Sequence, residues 1–241
     1  MSIAENLHRV RERIARAAAS AGRSPEEITL VGVTKYVGAQ QAAELAAAGC
    51  AHLGESRPQE LWKKAEALTT QRSEGFTPSV PAIHWHLVGH LQRNKVRRTL
   101  PHVALVHSVD SERLLAELND ACIEGCGMLP CVDVLLEVNT SGESAKHGLA
   151  PDDVARLLDV APRYPRLYFL GLMTMAALEG GLGVAARNFA SLRELRDRLT
   201  PMAPNCALNE LSMGMSADFE VAIREGATIV RIGSLLWENT V

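Results

Sequence analysis

Apolar positions along the chain follow two alternating periods. Residues 2–21 carry Ile3, Leu7, Val10, Ile14 and Ala18 at steps of three and four, with Arg and Glu between them, which predicts an amphipathic helix ended by Gly22. Ser24-Pro25-Glu26-Glu27 has capping-box spacing and predicts one helical turn. Strand-like and helix-like stretches then alternate. Strands are predicted at 28–35, 50–54, 83–88, 103–109, 132–138, 167–170, 206–211 and 228–232. Helices are predicted at 40–48, 58–68, 92–100, 111–124, 152–160, 184–199 and 217–225, with a last one opening at Ser234. Gly49 and Gly226 close two of them, Pro58 sits in a first turn, and Pro101 stops another. Residues 69–81 and Asn139 to Gly148 read as loops.

Eight strands, each followed by a helix, fit an α/β fold: a single (β/α)8 TIM barrel with an extra N-terminal helix, residues 1–241 forming one domain. The 241 residues are the right length for one such barrel and too few for a barrel plus a second sizeable domain. An open doubly wound sheet is the alternative.

Composition narrows the function. Hydrophobic residues make up 47% and charged residues 22%, an ordinary globular balance. A net charge of −3 gives no reason to expect a nucleic-acid partner. No apolar run is long enough to span a bilayer, and Glu5, Arg9, Arg11, Glu12 and Arg13 interrupt any signal-peptide core. Cys50, Cys122, Cys126, Cys131 and Cys206 lack CxxC spacing and read as reduced thiols of a cytoplasmic protein.

In a barrel the residues after each strand form the rim that carries the chemistry. Val31, Val33 and Lys35 alternate with Gly32 and Thr34, so one face of the first strand bears two valines and a lysine. An inward ammonium at a strand end is either paired with an acid or available as an amine nucleophile toward a carbonyl. Ser212-Met213-Gly214-Met215-Ser216 and Gly233-Ser234 follow the last two strands and precede helices, the recurrent place for a phosphate in this fold, although serine caps on ordinary turns look the same. Arg231 shares a face with Ile229 and should reach the mouth, to grip phosphate, a carboxylate or a ring nitrogen, or to make a structural ion pair. His84 and His86 share a face of the third strand, with His90 four residues on, a pattern that can begin a metal site. His102, His107 and Asp110 do not complete a coherent ligand set, so no metal is expected and a metal-dependent hydrolase is the lesser alternative.

Several stretches resemble the pyridoxal phosphate homeostasis proteins, whose fold is related to the barrel domain of alanine racemase. They are Leu30-Val-Gly-Val-Thr-Lys35, Gly54-Glu55-Ser56-Arg57-Pro58-Gln59-Glu60, His86-Leu-Val-Gly-His-Leu-Gln92 with Asn94-Lys95, Val138-Asn139-Thr140-Ser141-Gly142-Glu143, Gly171-Leu-Met173, Leu211-Ser-Met-Gly-Met-Ser-Ala-Asp218 and Ile229-Val-Arg-Ile-Gly233. The resemblance spans essentially the whole chain, with one departure: the family usually has Asn and Val where this chain has Ser56 and Pro58.

The resemblance implies that Lys35 forms the internal aldimine with pyridoxal 5′-phosphate (PLP). It implies further that residues 212–216 (Ser212, Met213, Gly214 and Ser216) and Gly233-Ser234 hold the phosphate, and that Arg231 faces the pyridine nitrogen. His86 and Asn139, at the ends of two further strands, complete the candidate cofactor set. An arginine at that nitrogen keeps it unprotonated, a weak electron sink that disfavours transamination and still permits slow racemisation. A racemase needs a second acid/base on the opposite face. Tyr36 is expected to alternate away from Lys35, and Tyr164 and Tyr168 fall outside the rim. The expectation is therefore a monomer or weak dimer that holds PLP for intracellular PLP and amino-acid homeostasis, with PLP-dependent apo-enzymes as partners and no dedicated turnover. A PLP-dependent amino-acid racemase is the alternative.

Overall fold

The computed structural model describes residues 1–73, 81–124, 132–143 and 146–240; Cys126, Cys131 and part of each predicted loop lie outside them. The strands are β1 (Thr29–Val33), β2 (His52–Glu55), β3 (His84–Leu87), β4 (Leu105–Val109), β5 (Val132–Glu137), β6 (Leu167–Met173), β7 (Glu210–Ser212) and β8 (Ile229–Ile232). They close in sequence order into one barrel, each pairing in parallel with the next and β1 with β8. The helices are α1 (Ile3–Ser20), α2 (Ala39–Ala47), α3 (Pro58–Ser73), α4 (Val96–Thr99), α5 (Glu112–Glu124), α6 (Pro151–Asp159), α7 (Gly181–Leu199), α8 (Phe219–Arg224) and α9 (Ser234–Trp237).

The main core lies between strands and helices, where Leu53, Trp85, Val106, Leu136, Leu172, Leu211, Val230 and Ile232 point outward from the barrel. The interior holds a much smaller apolar group, Val31, Leu105, Leu135, Met173 and Ile229. Period-2 alternation sends the neighbours of these outward residues the other way, so His86, Glu137, Ser212 and Arg231 enter the barrel, all buried. Helix α1 covers the barrel beside α8 and α9. Its buried Asn6 donates to the carbonyls of Leu236 and Glu238, tying the helix to the last turn of the chain. The helix starts in a capping box, with Ser2 Oγ accepting from the Glu5 amide and the Glu5 carboxylate accepting from the Ser2 amide.

Several expected boundaries move for identifiable reasons. Strand β1 ends at Val33, two residues early: the Thr34 amide makes the last rung to the Gly54 carbonyl, and the Val37 amide then bonds back to the Thr34 carbonyl, opening a turn. Helix α3 runs through the expected loop start at 69 to Ser73, and the hydroxyls of Thr69 and Thr70 bond back to the carbonyls of Ala65 and Glu66. The stretch expected to be helical over 92–100 is a short α-turn between two 3-10 turns. Strand β7 starts at Glu210 instead of Cys206, after Leu208 takes a left-handed φ of 45° that breaks the extended run.

Candidate functional site

Strand β1 delivers Val31 and Val33 to one face as expected, since a side chain added at Gly54 on β2 would meet both valines. The alternation does not carry on to Lys35. That residue lies in the turn beyond the strand, exposed, in no ion pair among the described residues, with its ammonium 4.9 Å from the centre of the Tyr36 ring. Tyr36 therefore does not turn to the opposite face as the strand reading required; it is 80% exposed beside the lysine. The turn itself is anchored from below. Lys64 of α3, buried, donates to the Thr34 carbonyl at 2.7 Å and to Glu55 Oε2 at 2.6 Å, while Glu55 Oε1 accepts the Ser56 amide. This buried ion pair sits directly under the residue before Lys35.

The loops after β7 and β8 lie side by side, as predicted. Ser216 Oγ accepts from the Gly233 amide at 3.2 Å and ties the two together. Gly214 has φ 92°, and a β-carbon there would lie 2.6 Å from Ala222, so only glycine lets the loop approach α8 this closely. Asp218 Oδ1 accepts the Met215 amide and rounds the loop before α8 begins at Phe219. The amides of Ser216 and Ala217 donate to no described residue, and Ser234 opens α9 with an amide that has no helical acceptor. Helix α8 is shorter than the 217–225 expected and α9 has only 4 residues, so the anion-binding potential of this rim rests on individual amides and hydroxyls more than on helix dipoles.

Arg231 enters the mouth where the alternation with Ile229 places it, 4% exposed. Its guanidinium donates to Ser212 Oγ at 2.6 Å and to the Thr174 carbonyl at 2.9 Å, so it is held between β6 and β7. Burial lowers its pKa to about 10, opposed by the charges of Asp218 and Glu137, and the group remains a cation at neutral pH.

From Ser212 a row of imidazoles crosses the barrel interior. His107 Nδ1 lies 2.8 Å from Ser212 Oγ, His107 Nε2 is 2.8 Å from His86 Nδ1, and His86 Nε2 is 2.9 Å from His52 Nδ1. The proton positions follow from one end. Arginine can only donate, so Ser212 accepts from Arg231, and its hydroxyl is assigned as the donor to His107 Nδ1. His107 and His86 then each carry their proton on Nε2, and every bond points from the mouth toward the half-buried His52 at the opposite end of the barrel. Burial keeps the imidazoles neutral: His86 is brought down to about 3, with smaller contributions from His52 and His84. His107 falls well below its usual range, through burial and then the neighbouring His86 and Arg231. His52 is lowered by burial and by His84, on which its ring stacks at 5.0 Å. His86, placed in the candidate cofactor set, thus has both ring nitrogens engaged within the barrel wall.

Asn139 follows β5 and shapes its own loop, with Oδ1 accepting from Ser141 and the Gly142 amide and Nδ2 donating to the Glu143 carbonyl. No bond joins it to the loops after β7 and β8 among the described residues. Thr174 links the two regions instead, since its hydroxyl bonds to Thr140 and to the Val138 carbonyl while its own carbonyl receives Arg231. Sequence reasoning missed Lys64 and His52 as members of the site. Nothing in the sequence marks His52, whose register with His84 across β2 and β3 is set by the barrel, or Lys64 among the lysines of α3.

The alanine racemase N-terminal domain model matches residues 5–240. A pyridoxal phosphate homeostasis protein from Aquifex aeolicus is 40% identical over 237 residues, 98% of this chain and 98% of that protein. One from Pseudomonas aeruginosa is 39% identical over 98% of this chain and 95% of its own length. The structure of PipY from Synechococcus elongatus with PLP bound superposes with a TM-score of 0.83 at 33% identity, covering 98% of this chain and 99% of that one.

Proposed function

The chain belongs to the pyridoxal phosphate homeostasis protein family, and from that premise we propose that it binds PLP at the rim of its barrel, attached through Lys35, and serves PLP and amino-acid homeostasis without a dedicated substrate. One observation carries the reading. The loops after β7 and β8 are cross-tied by Ser216 and Gly233, present unpaired amides, and stand beside buried Arg231 on the strand paired with β1, which leads to Lys35.

The residues present fit the cofactor. The amides of Ser216, Ala217 and Ser234, with the two serine hydroxyls, are donors for a phosphate, and Gly214 keeps the loop clear of side-chain bulk. Arg231 is a permanent donor for a ring nitrogen and cannot return a proton to it. Lys35 offers a primary amine, exposed and outside any ion pair among the described residues, to an aldehyde. PLP when bound supplies an electrophilic aldehyde and a ring that can accept electrons. By holding a donor at the ring nitrogen, Arg231 restrains that second capacity, which suits storage and delivery. Lys35 stands in an exposed turn, so the attachment point is accessible and the protein can pass its cofactor to PLP-dependent apo-enzymes.

Purified full-length protein mixed with PLP should turn yellow, and borohydride should fix one adduct, located on Lys35 by peptide mass spectrometry. Lys35→Ala should stay colourless and keep its thermal stability, because the side chain is exposed. A colourless wild-type protein, or an adduct on another lysine, would refute the proposal. Exchange of amino-acid α-hydrogens with deuterated solvent should be negligible across a panel; rapid exchange with one amino acid would establish a racemase instead.

A further inference from the structure

Beside the cofactor rim, three loops after consecutive strands bring together His90, Asp110 and His147. One potential ligand atom from each lies within 4.8 Å of the other two. His90 Nδ1 is 3.5 Å from Asp110 Oδ2, and the rings of His90 and His147 stack at 4.7 Å with their planes 17° apart. The other oxygen of Asp110 accepts the Ser111 hydroxyl at 3.2 Å, which orients the carboxylate and leaves Oδ2 toward the histidines. None of these residues takes part in the loops after β7 and β8 or in the imidazole row.

We propose that His90, Asp110 and His147 form a binding site for one divalent transition-metal ion of the Zn2+ class. Two imidazoles and one carboxylate are a ligand set suited to zinc, cobalt or nickel, and too rich in nitrogen for calcium or magnesium. Ligand atoms of a tetrahedral zinc site stand about 3.3 Å apart, given bonds of about 2.0–2.1 Å. The three residues are on loops, with His90 and His147 exposed, and His90 Nδ1 and Asp110 Oδ2 already stand near that spacing. Three protein ligands leave a coordination position open to water or to a carboxylate or phosphate oxygen at the barrel mouth.

The test uses the full-length protein, stripped with a chelator and dialysed against Zn2+ or Co2+, with and without PLP. One equivalent of metal per chain should remain by elemental mass spectrometry, and Co2+ should develop a visible absorption band of low-symmetry coordination. His90→Ala, Asp110→Asn and His147→Ala should each weaken binding roughly ten- to hundred-fold or more, with unchanged circular dichroism. His8→Ala, an exposed histidine of α1, should not change it. Absence of binding, or binding unaffected by the three substitutions, would overturn the proposal. Failure of Lys35 to take PLP would leave this result standing, because metal content is read without the cofactor.

Discussion

Mild acid should destabilise this fold through histidines before it does so through carboxylates. An unfolded histidine titrates at about 6.5, whereas native His86 titrates at about 3 and native His107 well below its usual range. Between those values the unfolded chain binds protons that the native barrel refuses, so stability is full above about pH 6.5 and falls as pH drops. At pH 5 His86 has lost about 2 kcal/mol, one and a half pH units at about 1.4 kcal/mol each, and His107 adds a loss in the same direction. Whole domains are worth only about 5–15 kcal/mol, so this is a large share. Glu137 and Asp133 act in the opposite sense: burial raises both carboxyls, the native state takes up their protons first, and that uptake offsets part of the loss. A net slope of about 1.4 kcal/mol per pH unit, equivalent to about one proton, is expected between pH 6 and 5. Urea unfolding at pH 7, 6 and 5, with the m-value checked for constancy, measures it directly. The variant His86→Leu/His107→Leu should start less stable and show a slope reduced to below about half a proton. A wild-type slope that small, or an undiminished slope in the variant, would refute the claim that these imidazoles stay neutral.

Three further outcomes follow from particular contacts. Lys64→Met strands the carboxylate of Glu55, which is fully buried, and should cost about 3–5 kcal/mol in urea unfolding, much of it recovered in Lys64→Met/Glu55→Gln. Gly214→Ala forces a β-carbon to 2.6 Å from Ala222 at a φ of 92°, and should cost at least about 1–2 kcal/mol and weaken PLP binding. Long-range 1H–15N spectra should show His107 and His86 protonated on Nε2 alone. Ser212→Ala should mix the tautomers of His107, and finding its proton on Nδ1 in the wild type would reverse the assigned direction of the row.

The elements of this barrel were legible wherever hydrophobic period and a breaker coincided. Helix α1 shows its buried stripe and Gly22, and β8 shows Ile229 and Arg231 on one face, and both stand as read. Ends were less legible, because they depend on backbone bonds that no residue type marks. Nothing in Val-Thr-Lys says that the Val37 amide will bond back to the Thr34 carbonyl and turn the chain after Val33. The shortened β7 has the same character, since a leucine at positive φ is dictated by its surroundings and carries no sequence mark. Of the site, the paired loops after β7 and β8 and Arg231 could be read from glycine, serine and alternation. The imidazole row could not, because its members come from three strands and were visible only as scattered histidines.

That row also explains an imbalance in the core. A (β/α)8 barrel ordinarily fills its interior with layers of branched apolar side chains, yet here the interior apolar group has five buried members among the described residues and the middle is polar. A buried polar group is tolerated when each donor meets an acceptor, and a half-satisfied network is worse than none. Here the row is terminated by a group that donates and never accepts. Arg231 is such a group, and it also needs a second acceptor, which the Thr174 carbonyl supplies. The interior is therefore stable because its polar end is an arginine, and the same arginine is held in one orientation because the interior is polar. A lysine at position 231 could neither span Ser212 and Thr174 with a planar fork nor keep the row aligned, so the residue facing the proposed cofactor ring is fixed by the barrel it closes.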